Sequence, residues 1–133
     1  MGYCMNQQYS EFFIPADKVN DTLKAVQALA GKETIHDVYS HFSWVSEDFH
    51  LATSFAEIMR AWRWHISYDA DGNVDEIEFN GEKFGDDIIL FKAIAPFVKE
   101  GSFIEMQGED GALWRWYFDG NKCIEKDAKI SWE

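Results

Sequence analysis

Six side chains that can bind metal ions lie in one short segment of the first half of the chain: His36, Asp37, His41, Glu47, Asp48 and His50. Imidazole and carboxylate groups are common ligands of zinc, and a zinc motif needs them at spacings that make them converge. No two of these histidines have the four-residue spacing that places both histidines of HExxH on one helix face. We therefore predict solvated or locally bonded side chains, with no metal and no cofactor.

No sequence motif supports nucleophilic catalysis. Cys4 and Cys123 lie near opposite ends of the chain, and neither belongs to a CxxC pair or has an evident electropositive setting. The chain contains no GxSxG elbow and no glycine-rich phosphate loop. An enzyme is therefore unsupported, and the cysteine usage is typical of a reduced intracellular protein.

Negative charge is the most concentrated chemical feature of the chain. The 133 residues include 24 acidic and 12 basic side chains, and twelve of the acids lie between Asp69 and Asp110 with only three lysines among them. A surface of this sign repels phosphate backbones and anionic lipid, and it attracts cationic surfaces from a distance. The charge argues against direct nucleic-acid binding and favours a basic protein surface as the partner.

The partner is expected to contact exposed side chains of this acidic stretch and of the strands that follow it. Glu105, Arg115 and Tyr117 are expected on the sheet face opposite the tryptophans, where a mixture of aromatic and cationic groups is typical of an interface. The alternative is that cross-strand pairs such as Arg115 with Glu105 only cover the sheet. The predicted partner-binding residues are Asp75, Glu76, Glu78, Glu82, Asp86, Asp87, Glu105, Arg115 and Tyr117.

Three segments have the pattern of helices that would position these side chains. The first runs from Pro15 to about Ala30, with apolar residues at helical spacing. The second covers about 54–62, where Ser54 and Glu57 form a capping box. The third begins at Asp86 and Asp87, whose carboxylates suit a helix N-terminus, and continues through the apolar run 88–98.

Alternating polar and apolar residues predict the strands. A hairpin is expected from 64–68 to a partner strand that carries Ile77 and Phe79 inward and Glu76 and Glu78 outward. The other predicted strands are Tyr9–Ile14, a short one at Phe42–Trp44, and a C-terminal meander of Ser102–Gln107, Ala112–Phe118 and about Lys122–Trp132.

These elements predict a single α+β domain over residues 1–133. It has an antiparallel sheet of about six or seven strands and three helices mainly on one face, in the order β-α-β-α-β-β-α-β-β-β. Most tryptophans are expected to fill the space between the sheet and the helices. The apolar stretches are shorter than the ~20 residues that span a bilayer, and no signal peptide is evident. We therefore expect a cytoplasmic protein without a membrane partner.

Several segments resemble small acidic bacterial and mobile-element proteins of unassigned function: Phe79–Lys83, Phe103–Met106, Gly108–Gly111, Trp114–Trp116 and Ser131–Glu133. The resemblance covers mainly the C-terminal half and consists of strand and turn residues. It implies a fold and no activity, cofactor or catalytic residue.

Together these features predict an acidic protein-binding module that docks a basic surface, as a nucleic-acid mimic or an inhibitor of a nucleic-acid-binding protein. Two alternatives stay open. One is a small-molecule or peptide receptor or enzyme with a site near residues 36–50, where the chain is least regular. The other is a homodimer closed through Phe103, Leu113 and Tyr117.

Overall fold

The computed structural model describes residues 2–31, 42–46 and 48–128. Within them it contains three α-helices and six antiparallel strands, which confirms the predicted α+β class. None of the described helices combines the length and the apolar character needed to cross a membrane. The elements are, in chain order, β1 (Met5–Glu11), α1 (Val19–Gln27), α2 (Phe55–Ala61), β2 (Trp64–Tyr68), β3 (Val74–Phe79), α3 (Asp87–Ile94), β4 (Phe103–Gly108), β5 (Leu113–Phe118) and β6 (Cys123–Asp127).

The three helices lie where their sequence patterns place them. Short 3₁₀ turns extend α1 on both sides, over Ala16–Lys18 and Ala28–Gly31, so the helical segment matches the predicted length. The Ser54 hydroxyl oxygen accepts a hydrogen bond from the Glu57 amide at 3.1 Å and caps α2. The cap fixes the start of α2, and the apolar spacing determines the buried side of each helix.

The strand predicted at Phe42–Trp44 is wrong, because these residues form a turn. The Val45 amide donates to the Phe42 carbonyl at 3.2 Å, and Trp44 has a positive φ of 66° that no strand adopts. Phe42 is buried with its ring 4.9 Å from that of Trp62, so its apolar character reflects packing on α2. His41 of the same prediction lies outside the described residues.

The predicted single sheet is present as two antiparallel sheets, one of four strands in the order β1-β4-β5-β6 and one of two, β2-β3. The two sheets lie side by side along β1 and β3. Among the described residues, backbone hydrogen bonds join the sheets only at or just beyond the ends of these two strands. At one end Ile14 and Val74 exchange two bonds of 2.9 Å, and at the other the Met5 amide donates to the Glu82 carbonyl at 2.8 Å. No ladder pairs the middle parts of the two strands.

The side chain of Gln7 bridges this interruption. Its Nε2 donates to the Ile77 carbonyl at 2.9 Å and to Ser10 Oγ at 2.8 Å, and its Oε1 accepts from the Phe79 amide at 2.6 Å. A carboxamide has the same donor and acceptor as a peptide group, so one side chain can satisfy a strand edge that the neighbouring backbone does not reach. A bulge between Gln7 and Tyr9 in the pairing with β4 marks the point where β1 departs from regular geometry.

The two sheets nevertheless share one core. Trp64 from β2 and Trp116 from β5 are fully buried with ring centroids 6.1 Å apart, and Phe91 of α3 contacts both rings at 5.1 and 5.0 Å. Large aromatic side chains bury more apolar surface than any other type, and the two contacts of Trp64 have the edge-on geometry that such rings favour. Trp62, Trp64, Trp114 and Trp116 are thus buried as predicted, whereas Trp44 is 49% exposed. The opposite face of the strands is left to polar and half-exposed side chains.

We predict that replacing Gln7 with alanine lowers the free energy of unfolding by about 1–3 kcal/mol, because the Phe79 amide loses its partner and the Ile77 carbonyl keeps only the 3.4 Å bond from Ser10 Oγ. Urea unfolding followed by tryptophan fluorescence measures the change. Gln8→Ala is the matched control, since Gln8 bonds to Asn6 at the surface. Equal effects of the two variants would contradict the bridging role of Gln7.

Candidate docking surface

Two aspartates of the acidic turns, Asp69 and Asp119, accept hydrogen bonds from backbone amides of their own turns. Asp69 accepts from the Asp71 and Asn73 amides at 2.9 and 3.0 Å, and Asp119 accepts from the Asn121 and Lys122 amides at 2.9 and 2.7 Å. Hydrogen bonds of this kind stabilise the ionised form and lower the pKa of both carboxyls, with the side chain of Asn73 as the largest influence on Asp69. These carboxylates shape hairpin turns and are not free for a partner.

The turn between β4 and β5 shows the same pattern. The Tyr3 hydroxyl donates to Asp110, which also accepts from the Ala112 amide at 3.1 Å, and the pKa of Asp110 is lowered chiefly by Tyr3. Glu109 accepts from the Cys4 amide at 2.8 Å. Both acids therefore fasten the N-terminal residues to this turn.

Asp87 was predicted on the docking surface, and this is wrong because its side chain is only 1% exposed. It accepts hydrogen bonds from Trp64 Nε1 at 2.9 Å, from Arg63 Nη2 at 3.1 Å and from the Gly85 amide at 3.2 Å. Its neighbour Asp86 accepts from the Ser43 amide at 2.8 Å and thus holds the turn before α2. The two aspartates fix the start of α3 instead of meeting solvent freely.

Arg63 is the cation of this buried group. It lies between α2 and β2 and has a positive φ of 72°. Its guanidinium lies 5.2 Å from the centre of the Phe79 ring and donates a hydrogen bond of 2.6 Å to the Lys83 carbonyl. Burial raises the pKa of Asp87, while the hydrogen bond from Trp64 and the charge of Arg63 act in the opposite direction. The group ties α2, the β2–β3 ribbon and α3 together and is structural.

The remaining predicted acids on and after β3 are exposed. Glu76 lies opposite Ser67 and Glu78 opposite His65 in the β2–β3 ribbon, with both side chains pointing away from the core as predicted. Asp75 and Glu82 are also exposed. Within the described ranges none of these four carboxylates has a side-chain hydrogen bond or an ion pair, so they keep their full capacity for a partner. We call Asp75, Glu76 and Glu78 the β3 carboxylates.

The predicted trio on the C-terminal strands lies together on the face opposite the tryptophans. Arg115 Nε donates to Glu105 Oε1 at 2.8 Å, and its guanidinium is 4.4 Å from the centre of the Phe103 ring. Tyr117 is half-buried beneath Lys126, whose ammonium is 4.3 Å from the ring centre. β1 separates Glu105, which lies on β4, from the β3 carboxylates by at least about 10 Å at ordinary strand spacing, and β1 and β4 together separate Arg115 and Tyr117 on β5 from them by at least about 14 Å. The nine predicted residues therefore do not form one site.

A groove of about 560 Å³ separates β1 from β3 on this same face, where the ladder is interrupted. The β1 side of its lining was not predicted, since the sequence indicated a first strand that begins only at Tyr9. β1 begins at Met5, but the three polar residues at positions 6–8 lack the polar–apolar alternation from which a strand is predicted. The groove is lined by Asn6, Gln7, Gln8, Tyr9, Ser10, Glu76, Ile77, Glu78 and Phe79.

The expectation that neither cysteine has a cationic neighbour is wrong for Cys4. Lys83 Nζ lies 3.0 Å from Cys4 Sγ, and this contact is the main reason that the pKa of Lys83 is raised. Cys4 is half-buried, whereas Cys123 is buried under α3, where burial raises its pKa to about 12. The two thiols therefore differ sharply in accessibility.

Most of the histidine-rich segment lies outside the described residues, including His36, Asp37, His41 and Glu47. Asp48 and His50 are exposed on either side of the buried Phe49. Among the residues that the structure describes, no three histidine, cysteine or acidic side chains gather in a way that would hold a metal ion.

No protein-family model, curated protein or solved structure matches the chain. The resemblance to small acidic bacterial proteins therefore stays a prediction, and function has to be argued from the surface itself.

We predict that Asp87→Ala lowers the free energy of unfolding by about 3–5 kcal/mol, because it leaves the Arg63 guanidinium buried without its carboxylate. The measurement is chemical denaturation. Asp75→Ala removes an exposed carboxylate of the same size as a control and is expected to change stability little. A similar loss in both variants would show that the Asp87 contacts do not stabilise the fold.

Only one thiol of the folded protein is expected to react rapidly with an aromatic disulfide reagent at neutral pH, since the thiolate is the reactive form and Cys123 is buried and protonated. Unfolding should release the second thiol. Cys4→Ser is expected to remove the rapid phase and Cys123→Ser to preserve it; the opposite assignment would contradict the structure.

Proposed function

We propose that the protein is a binding module that docks a basic surface of a partner protein on the β3 carboxylates. One observation carries the proposal: three exposed acids of β3, Asp75, Glu76 and Glu78, form no ion pair within the described residues. Most other acids of the stretch are already bonded within the fold. A set of unpaired charges on a sheet is therefore what a cationic partner would meet first.

The overall charge acts in the same direction. A formal net charge of −12 attracts a cationic protein over roughly the Debye length of ~8 Å at physiological salt, which raises the rate of association. The β3 carboxylates then decide where the partner settles, because they are held on a strand whose other side is packed into the core. Long-range attraction and local orientation thus have separate structural sources.

A basic surface of this kind is characteristic of proteins that bind nucleic acids. A module that occupies it would compete with the phosphate backbone and act as an inhibitor of such a partner. The same charge that disfavours direct binding of nucleic acid by this protein favours this role.

We predict that neutralising the β3 carboxylates, with Asp75→Asn, Glu76→Gln and Glu78→Gln together, weakens binding to immobilised poly-L-lysine by about tenfold, as expected for the loss of three exposed ion pairs. The wild-type affinity should also fall as salt rises. Surface plasmon resonance measures both effects.

The control is a second triple variant with the same net charge, Asp17→Asn, Asp21→Asn and Asp48→Asn, which removes exposed acids elsewhere. It is expected to retain most of the binding. Equal losses in the two triple variants would mean that net charge alone attracts the probe, and the proposed docking site would be wrong.

A further inference from the structure

We propose that the groove between β1 and β3 binds an extended segment of the basic partner, with lysine or arginine at every second position. This inference rests on the proposed function and names the form of the partner. It follows from the shape of the groove, the chemistry of its two walls and the spacing of its charges.

The groove has the dimensions of an extended peptide. It follows the middle parts of two antiparallel strands and is closed at each end by the backbone bonds of Ile14 with Val74 and of Met5 with Glu82. Residues 6–10 on one side and 76–79 on the other line it. At about 3.3 Å per residue this is roughly 17 Å, the length of five residues in a strand.

The β1 wall suits the main chain of such a segment. Asn6 and Gln8 each carry an exposed carboxamide, which can donate and accept hydrogen bonds as a peptide group does. Gln7 already satisfies the Phe79 amide and the Ile77 carbonyl on the opposite wall. Tyr9, 55% exposed, adds an aromatic surface on which a lysine or arginine stem can lie.

The β3 wall sets the charge spacing. Glu76 and Glu78 are two positions apart on one face of a strand, so their side chains emerge about 7 Å from each other. An extended peptide places alternate side chains on one side with the same repeat, whereas a helix brings together residues three or four apart. Cations at every second position of an extended segment would therefore match both carboxylates at once.

A second copy of this chain does not supply such a segment. Its 12 lysine and arginine residues include no two that are separated by a single residue. The segment must therefore come from a different protein.

The test compares two capped peptides of equal length and composition, one in which lysine and threonine alternate and one in which the lysines form a single block. Isothermal titration calorimetry with the full chain measures their affinities. We expect the alternating peptide to bind at least about fivefold more tightly, the factor available from aligning two exposed ion pairs. Tyr9→Ala should weaken its binding about threefold, as loss of an exposed cation–aromatic contact would.

Leu113→Ala, which trims an exposed side chain of the same sheet face beyond β4, is the matched control and should leave binding unchanged. If both peptides bind equally and lose affinity on neutralisation of the β3 carboxylates but not with Tyr9→Ala, the groove proposal is overturned while the proposed function stands. If neutralising the β3 carboxylates has no more effect than the charge-matched control variant, the proposed function fails as well.

Discussion

The interrupted pairing of β1 with β3 is the constraint on which the rest of this structure depends. The two strands are held in antiparallel order at both ends, yet between those ends side chains of β1 take the place of the ladder. The Gln7 carboxamide bonds to the Ile77 carbonyl and the Phe79 amide, and Ser10 Oγ donates a longer bond of 3.4 Å to the same carbonyl. Buried backbone groups must find hydrogen-bond partners, and the carboxamide meets that requirement without drawing the strands together. The inner face can therefore carry one continuous core while the outer face opens into a groove.

A second constraint fixes the ribbon that forms the other side of this groove. The carboxylate of Asp87 binds Arg63, Trp64 and the Gly85 amide, and so connects α3 to the beginning of β2. Buried charges of this kind contribute more to a defined arrangement than to stability, since the cost of their desolvation offsets most of their attraction. The buried ion pair of Arg63 with Asp87 thus helps to fix the position of the β2–β3 ribbon, and with it the position of the β3 carboxylates.

The distribution of hydrogen bonds divides the acidic residues into two kinds. Asp69, Asp110 and Asp119 accept bonds from their own turns or from Tyr3, whereas Glu76 and Glu78 accept none in the described part of the chain. Both kinds contribute equally to the net charge. Only acids of the second kind, such as Glu76 and Glu78, have carboxylate oxygens that are free to bind a partner. A surface that is acidic throughout can therefore still have a preferred place for a cationic partner.

Local sequence signals sufficed for the helices, the hairpins and the inward direction of Trp64 and Trp116, because caps, turn residues and periodicity act over a few positions. Three features could not be predicted from these local signals. The turn at Phe42–Trp44 mimics strand alternation because Phe42 packs on Trp62, which is distant in sequence. Asp87 resembles an ordinary helix N-terminal acid, and nothing nearby in sequence reveals that Arg63 lies over it.

The Gln7 bridge is the third such feature, since the polar run at 6–8 predicts no strand and its partners, Ile77 and Phe79, are some seventy residues away.

Scalar couplings across hydrogen bonds, measured by NMR on isotope-labelled protein, test the bridge formed by Gln7 most directly. If Gln7 bridges the strands, the Phe79 amide nitrogen shows a coupling to the side-chain carboxamide carbon of Gln7. A coupling from that amide to a backbone carbonyl of β1 would contradict the Gln7 bridge, because a continuous ladder would close the groove.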